Sequence, residues 1–432
     1  MGVGGGNTMN HGGTASAPLT ATRAQIASVA AGNALEFYDF LIFSIFAVQI
    51  GQAFFPATDP VNSLLAALAT FGAGFLTRPL GAWLFGRYAD RHGRRPAMVG
   101  SFTLLGLSSL ALALVPSYAA IGAAAPVLAV LARLLQGLAL GGEVGPSSAF
   151  LAEIAPPERR GAYVSLQFAS QNFAILVAGL AGVALAAMMD EAALATWGWR
   201  IALIAGAAIV PIGLILRRTL PETMEPRPVD APRVATPRYR HIAIAALATI
   251  ASATVINYVL TYLSTFAQSD LGMTPGKAFG ATVAVGVGGT IAALAGGVLS
   301  DRFGRSPVML VPIALTVVMI LPAFWLLRAY PTPFVLYTLA LVLRFVSALA
   351  GTSAFIAVSE AFPARVRSTA LGLTYSLSVS TFGGTTQFAV AWLGKVSGSA
   401  LTPAWYMLLF AVIGLIAMMT MRETAPRFTA RA

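Results

Sequence analysis

The segment Gly86-Arg-Tyr-Ala-Asp90-Arg91-His-Gly93-Arg94-Arg95-Pro96 returns 211 positions later as Gly297-Val-Leu-Ser-Asp301-Arg302-Phe-Gly304-Arg305-Ser-Pro307. A second pair follows at an offset of 207: Glu153-Ile-Ala-Pro156 with Arg160, and Glu360-Ala-Phe-Pro363 with Arg367. Two independent motifs at nearly one offset describe a chain built as two related halves. Each Gly-Asp-Arg segment stands between two apolar runs, so it reads as a short polar loop between membrane spans.

The composition agrees. Of 432 residues, 57 % are hydrophobic and only 10 % charged, against about 25 % charged in an ordinary soluble domain. A spanning helix needs roughly 20 mostly apolar residues. Apolar runs predict spans at 25–54, 62–86, 97–115, 126–151, 162–188, 200–217, 241–267, 278–299, 308–327, 334–359, 369–393 and 404–421. The expected fold is an all-α membrane protein of twelve transmembrane helices in two six-helix bundles. The bundles are expected at 25–217 and 241–421. Residues 1–24 and 422–432 read as tails, and 218–240 reads as a Pro- and Arg-rich linker that cannot pack a core. These numbers exclude a soluble enzyme and a disordered chain.

The net charge of +11 reports orientation. Twenty-five of the 27 basic residues are Arg. Twenty fall in segments that the twelve-span topology puts on one side, and only Lys277, Arg328 and Lys395 fall in loops on the other. This is the positive-inside pattern. It puts both termini in the cytoplasm and removes the case for a nucleic-acid partner. The chain has no Cys, and its three His residues are far apart, so no metal site, cysteine nucleophile or disulfide is expected. No phosphate-cradling Gly-x-x-x-x-Gly-Lys loop is present. No cofactor is expected, and a proton is the expected coupling ion.

The repeated loops read as a cytoplasmic gate made of Gly86, Asp90, Arg91, Gly93, Arg94 and Arg95 in one half and Asp301, Arg302 and Arg305 in the other. Gly86 and Gly297 permit close helix approach. Asp90 and Asp301 are placed to meet a helix N-terminus or a loop Arg. With the twelve spans, this Gly-x-x-x-Asp-Arg-x-Gly-Arg-Arg pattern resembles the signature of the major facilitator superfamily. Gly32-Asn-Ala-Leu-Glu36-Phe-Tyr-Asp39-Phe and Arg133-Leu-Leu-Gln136-Gly137-Leu-Ala-Leu-Gly141-Gly142-Glu143 resemble its metabolite:proton symporter branch. Gln167-Phe-Ala-Ser170-Gln171-Asn172, Trp197-Gly-Trp199-Arg200 and Phe382-Gly383-Gly384-Thr385 look most like the citrate–proton symporters. The resemblance implies alternating access and proton-coupled import of a small organic anion across the inner membrane.

Ionisable residues inside spans are costly and usually functional. Glu36, Asp39 and Glu143 are the candidate proton carriers, with Arg133 as the partner of Asp39. From the helix rise, Glu36, Arg78 and Glu143 share one depth, about 12–15 Å from the cytoplasmic ends of their spans. Asp39 sits one turn higher on the face of Glu36. An acid paired with Arg keeps its charge, and the same acid left alone in an apolar span favours its proton. The resemblance to sugar–proton symporters supports an Asp39–Arg133 pair. Static ion pairs that only fix packing are the structural alternative.

Arg344 is the lone buried cation of the second half, with no acid of that half at its depth. An anionic substrate is the expected countercharge, because the guanidinium fork matches a carboxylate. Candidate substrate contacts are therefore Arg78, Arg133 and Arg344, with Gln167, Gln171 and Asn172 on the fifth span, Tyr258 and Tyr262 on the seventh and Tyr375 on the eleventh. Asn257 and Gln387 are further polar groups. Citrate or a related tri- or dicarboxylate is the first choice. Shikimate, an aromatic acid, a zwitterionic osmolyte and a transporter-like nutrient sensor are the alternatives. The expected partners are the substrate, protons and the bilayer, and the expected state is monomeric.

Overall fold

In lipid every backbone polar group must find its partner within the chain, and helices do this segment by segment. The computed structural model describes residues 22–92, 94–141, 151, 154–218, 240–362 and 367–429. Glu143, Gly93 and the interior of the expected linker lie outside these residues. So do the side chains of Asp90, Arg94 and Arg95.

The helices follow in chain order. The first half holds α1 (Arg23–Ile45, continued past Phe46 by Ala47–Phe54), α2 (Pro60–Leu76 and Arg78–His92) and α3 (Arg94–Leu114). It continues with α4 (Ala124–Leu140), α5 (Arg160–Met188) and α6 (Trp199–Arg218). The second half holds α7 (Arg240–Ser269), α8 (Pro275–Phe303), α9 (Arg305–Ala329) and α10 (Pro333–Ala361). It closes with α11 (Arg367–Ser378 and Gly384–Ser397, joined by a wide π-type turn over Val379–Gly383) and α12 (Thr402–Met419). Among the described residues nine helices are long and apolar enough to cross a membrane. With α4, α6 and the interrupted α11 they make the expected twelve. Where both ends are described, the largest boundary difference is at α2, which runs on to His92.

Local chemistry sets the starts. Thr22 and Gln25 form a reciprocal capping box at α1. The Asp59 carboxylate accepts the Val61 N–H, and Pro60 occupies the first turn of α2. Thr332 and Pro333 repeat this device at α10.

Small residues bring the halves together. Along α5 and α8, a Cβ added at Gly179 would lie 2.7 Å from the Val283 nitrogen, and one at Gly182 would lie 2.9 Å from the Phe279 ring. One at Gly286 would fall on the Leu176 backbone, and one at Gly297 on Ser165. The two helices therefore touch nearly backbone to backbone. Gly286→Leu is expected to cost at least about 3 kcal/mol, because the obstacle is backbone and cannot move aside. A thermal melt in detergent checks this, and an unchanged midpoint would contradict the packing. The second contact between halves is the crossing of α2 and α11, where Gly72 lies on the backbone of Gly384.

Candidate functional site

The repeated loops mark one end of the molecule, here the basic-loop end. Asp301, at the end of α8, reaches across to the first turn of α5. Its two oxygens each accept a backbone N–H at 2.9 Å, from Gly161 and Ala162. The helix N-terminus favours that negative charge. Arg305 donates to Asp301 at 2.7 Å and to both oxygens of Glu360 at 3.1 and 3.2 Å. Arg160 of the first half adds a 3.8 Å ion pair to Glu360. After α12, the Glu423 carboxylate accepts the N–H groups of Arg305 and Ser306 at 2.9 Å, and the Thr424 hydroxyl donates to Glu360 at 2.7 Å. Partial burial works against the charge of Glu423, but the backbone donors of Ser306, Ala425 and Arg305 outweigh it and hold the carboxyl below its usual range.

The two copies of the loop are not equivalent. Gly297 meets the close neighbours expected of it. Gly86 does not: it is exposed, with nothing within 4 Å of an added Cβ. Arg91 is exposed. Arg302 is also exposed and stacks on Phe303, outside the cluster of Asp301, Arg305 and Glu360. On α11, Gly372 likewise has open space where a Cβ would stand. At this end the halves are thus joined along α5 and α8, while among the described residues Gly86 of α2 and Gly372 of α11 meet no neighbour.

The far end is shut. Ser44 donates to Gln387 at 2.7 Å, and Gln387 donates to the Tyr258 carbonyl at 3.4 Å. Gln49 donates to Gln268 at 2.8 Å. At the rim Lys395 binds Asp59 and Asn62, each at 2.6 Å. The Lys395 ammonium, followed by the Val61 N–H, holds the exposed Asp59 carboxyl below its usual range.

Between the ends a cavity opens among α1, α5, α7, α10 and α11. Of the predicted contacts, Gln171, Asn172, Tyr258, Arg344 and Tyr375 line it. Asn257 lines it too. Arg344 is buried, and its Nε and Nη2 donate to Asn172 Oδ1 at 3.0 and 2.7 Å. The partner is neutral and belongs to the other half. Among the described residues no carboxylate pairs with Arg344. On the lining, the buried Asn257 Oδ1 has no hydrogen-bond partner, and the Gln171 amide lies against the Tyr375 hydroxyl. A guanidinium with a neutral partner, beside the Gln171 amide, the Tyr375 hydroxyl and a free amide acceptor, suits a small anion that also carries polar groups.

Four predicted contacts lie elsewhere. Gln167 exchanges hydrogen bonds with Asn33, donating at 2.9 Å, and so ties α5 to α1. Tyr262 lies one turn past Tyr258, beside Ser269 and Asp270 on the shut side. Arg78 lies behind the cavity wall, 4.1 Å from the Phe75 ring and 4.5 Å from Phe40, near Tyr258, Tyr375 and Glu36. Arg133 is fully buried against Phe40, Phe43 and Phe71. Gln387 belongs to the far-end seal. Sequence reasoning missed the aromatic floor. Phe168 packs edge-on against Phe355 at 4.8 Å, and Phe355 approaches Tyr375 at 6.0 Å. The spacing signal was present: 168, 171, 172 and 175 share one helix face, as do 344, 347, 348, 351 and 355.

The candidate acids divide. Asp39 and Glu36 are both buried. Three residues rotate a helix position by about 60°, enough to send Asp39 toward α3 and α4 while Glu36 stays near Arg78. The expected direct Asp39–Arg133 contact is replaced by a bridge. The Ser109 hydroxyl donates to Asp39 Oδ2, Gln136 Nε2 donates to the same oxygen at 3.4 Å, and Gln136 Oε1 accepts from Arg133 Nη1 at 2.7 Å. Gln136 lies at i+3 from Arg133 on α4, so it occupies the space between the two charges.

The comparisons with known proteins agree with this architecture. The family described as Major Facilitator Superfamily matches residues 29–384. The chain is 37 % identical to the citrate-proton symporter of Klebsiella pneumoniae, over 91 % of this chain and 90 % of that one. It is 34 % identical to the alpha-ketoglutarate permease of Escherichia coli K12, over 92 % and 93 % of the two chains. The fold superposes on the proton:xylose symporter XylE bound to 6-bromo-6-deoxy-D-glucose with a TM-score of 0.76 at 20 % identity, covering 94 % of this chain and 98 % of that one. The chain therefore belongs to the major facilitator superfamily, as a multi-pass membrane transporter and not an enzyme.

Proposed function

We propose that this transporter is a proton-coupled symporter that imports a small carboxylate, citrate or a related tri- or dicarboxylate, across the inner membrane by alternating access. The observation that carries the reading is Arg344: a buried cation in a cavity between the halves, held among the described residues by the neutral Asn172 of the opposite half. A carboxylate that takes the guanidinium fork displaces Asn172 and so acts on the contact between halves. The relatives named for citrate–proton symport and for alpha-ketoglutarate support both the substrate class and the proton. Asp39, buried in the first half, is the proposed proton carrier, with Glu36 and Glu143 as rivals. The distribution of Arg puts the basic-loop end, and with it both termini, in the cytoplasm, so the cavity is disposed toward the cell interior. The proposed working unit is the monomer, with the substrate, protons and the bilayer as its partners.

A dicarboxylate reading has its own support. Among the described residues lining the cavity, Arg344 is the one charged side chain, and Arg78 stands behind Tyr258 and Tyr375. Uptake of labelled citrate into proteoliposomes, with and without an inward proton gradient and against a panel of unlabelled acids, tests both readings. Gradient-driven accumulation displaced best by tricarboxylates is the expected result. Displacement best by dicarboxylates or aromatic acids would move the substrate and keep the symporter. Tight binding without flux would favour a sensor.

A further inference from the structure

The Asp39 carboxylate lies in a pocket of the first half that the cavity does not reach. Its Oδ2 takes two donors, Ser109 from α3 and Gln136 from α4. Its Oδ1 has no partner and faces α6, where a Cβ on Gly206 would stand 3.0 Å away. The ionisable groups around it are few. Tyr38 and Glu36 are on α1, Arg133 is on α4, Arg78 on α2 and Tyr258 on α7. Those of α5, Arg160 and Tyr163, lie in its first turn at the basic-loop end. On α6, Arg200 lies at the far end and is held by the Ala113 and Val115 carbonyls at 2.6 and 2.7 Å.

Gln136 is, among the described residues, the one side chain bonded to both Asp39 and Arg133. Its amide is fully committed. The oxygen accepts from Arg133, and the two N–H groups go to Asp39 and to Ser109 Oγ, the latter at 2.6 Å. The orientation follows from charge: the cation takes the amide oxygen, so the amide nitrogen must face the carboxylate. Arg133 in turn donates to the Phe40 carbonyl at 3.4 Å and lies over the Phe40 and Phe71 rings, while its Nε and Nη2 have no partner. Phe71 and Phe75 pack on Tyr258 at 6.0 and 5.7 Å, in the cavity wall.

We propose that Gln136 is a positioning residue of the proton switch: its amide ties the charge of Asp39 to Arg133, and through the Phe40–Phe71–Phe75 cluster to the wall at Tyr258. When Asp39 takes a proton, the bond from Gln136 Nε2 loses its charge assistance and the amide is free to turn. Turning takes Oε1 away from Arg133. The guanidinium, already short of partners, must then resettle among the rings that support Tyr258. No bond is made or broken beyond the O–H of the carboxyl. The inference rests on the reading that Asp39 carries the coupling proton.

The test compares Gln136→Met and Gln136→Glu with Asp39→Asn in proteoliposomes. Met keeps the bulk and removes both amide bonds. Glu keeps the acceptor for Arg133 but removes the donor to Asp39. Both variants are expected to lose at least tenfold of gradient-driven accumulation while counterflow persists. For Gln136→Met, the pH midpoint of driven uptake is expected to move by about one unit toward alkaline pH, because the charged carboxylate has lost a donor. Driven uptake and midpoint unchanged in both variants, with Asp39→Asn inactive in driven uptake, would overturn the role of Gln136 alone. Driven uptake intact in Asp39→Asn would overturn the underlying reading. A measurement on the unaltered chain holds even where a variant fails to fold. In pH-difference infrared spectra with isotope-labelled glutamine, the carboxyl band must rise together with a shift of the labelled side-chain amide band. A carboxyl band rising alone would overturn the proposal.

Discussion

Replacing Asp39 by Asn is expected to abolish accumulation against a gradient and to leave exchange running. For one proton per substrate, each pH unit of inward gradient drives about tenfold accumulation; in Asp39→Asn the ratio is expected to fall to one. Asn keeps the size of the carboxyl group and still accepts from Ser109, so the first half keeps its packing. It cannot release a proton, and without that release the inward and outward states have no proton-dependent difference to exploit. Counterflow of labelled substrate needs only binding and the conformational cycle, and it should persist. The parallel variant Glu36→Gln decides between carriers. If it loses driven uptake and Asp39→Asn does not, the proton belongs to the acid beside Arg78.

Replacing Arg344 is expected to have the largest effect on binding. Arg344→Ala removes the one charged side chain that lines the cavity among the described residues, and affinity should fall at least about thirtyfold, the equivalent of roughly 2 kcal/mol. Arg344→Lys keeps the charge and loses the planar fork, so an intermediate loss is expected. A purely structural role for the Arg344–Asn172 bond also predicts damage from these changes, so a second variant separates the readings. Asn172→Asp places a carboxylate where Asn172 already accepts from Arg344 at 3.0 and 2.7 Å. A structural role predicts a stronger link and unimpaired binding. An anion-binding role predicts that the built-in carboxylate competes with the substrate and weakens binding. Equilibrium binding measurements on the purified variants decide, and unchanged affinity in Asn172→Asp would remove Arg344 from the site.

The twelve helices were legible because lipid imposes a length and an apolar composition on each, and the repeated loops fixed their pairing in the sequence. Arg344 was legible for a related reason: a cation without an acid at its depth stands out in a span. The partner of Arg344 was not, since Asn172 comes from the other half and depth alone does not tell which helices meet. The bridge at Asp39 was hidden for the same reason. Depth allowed a contact with Arg133, and Gln136, one turn away on the same helix as Arg133, looked like an ordinary polar residue of the motif. Gln167 and Tyr262 share helix faces with residues that do line the cavity. A cavity is short along the helix axis, so one turn too far carries a side chain into a neighbouring interface. The aromatic floor of Phe168 and Phe355 was hidden by abundance, because phenylalanine is common throughout an apolar chain.

The wide turn over Val379–Gly383 divides α11 between Tyr375, in the cavity, and Gln387, in the seal. Such a turn holds one residue more than a regular α-helical turn, so it works as a vernier. Loss or gain of a single residue there would rotate one portion against the other by about 100° without moving either end in the bilayer by more than about 1.5 Å. Descendants of this fold could thereby present a different side chain of α11 to the cavity through one insertion or deletion, with every other helix unchanged.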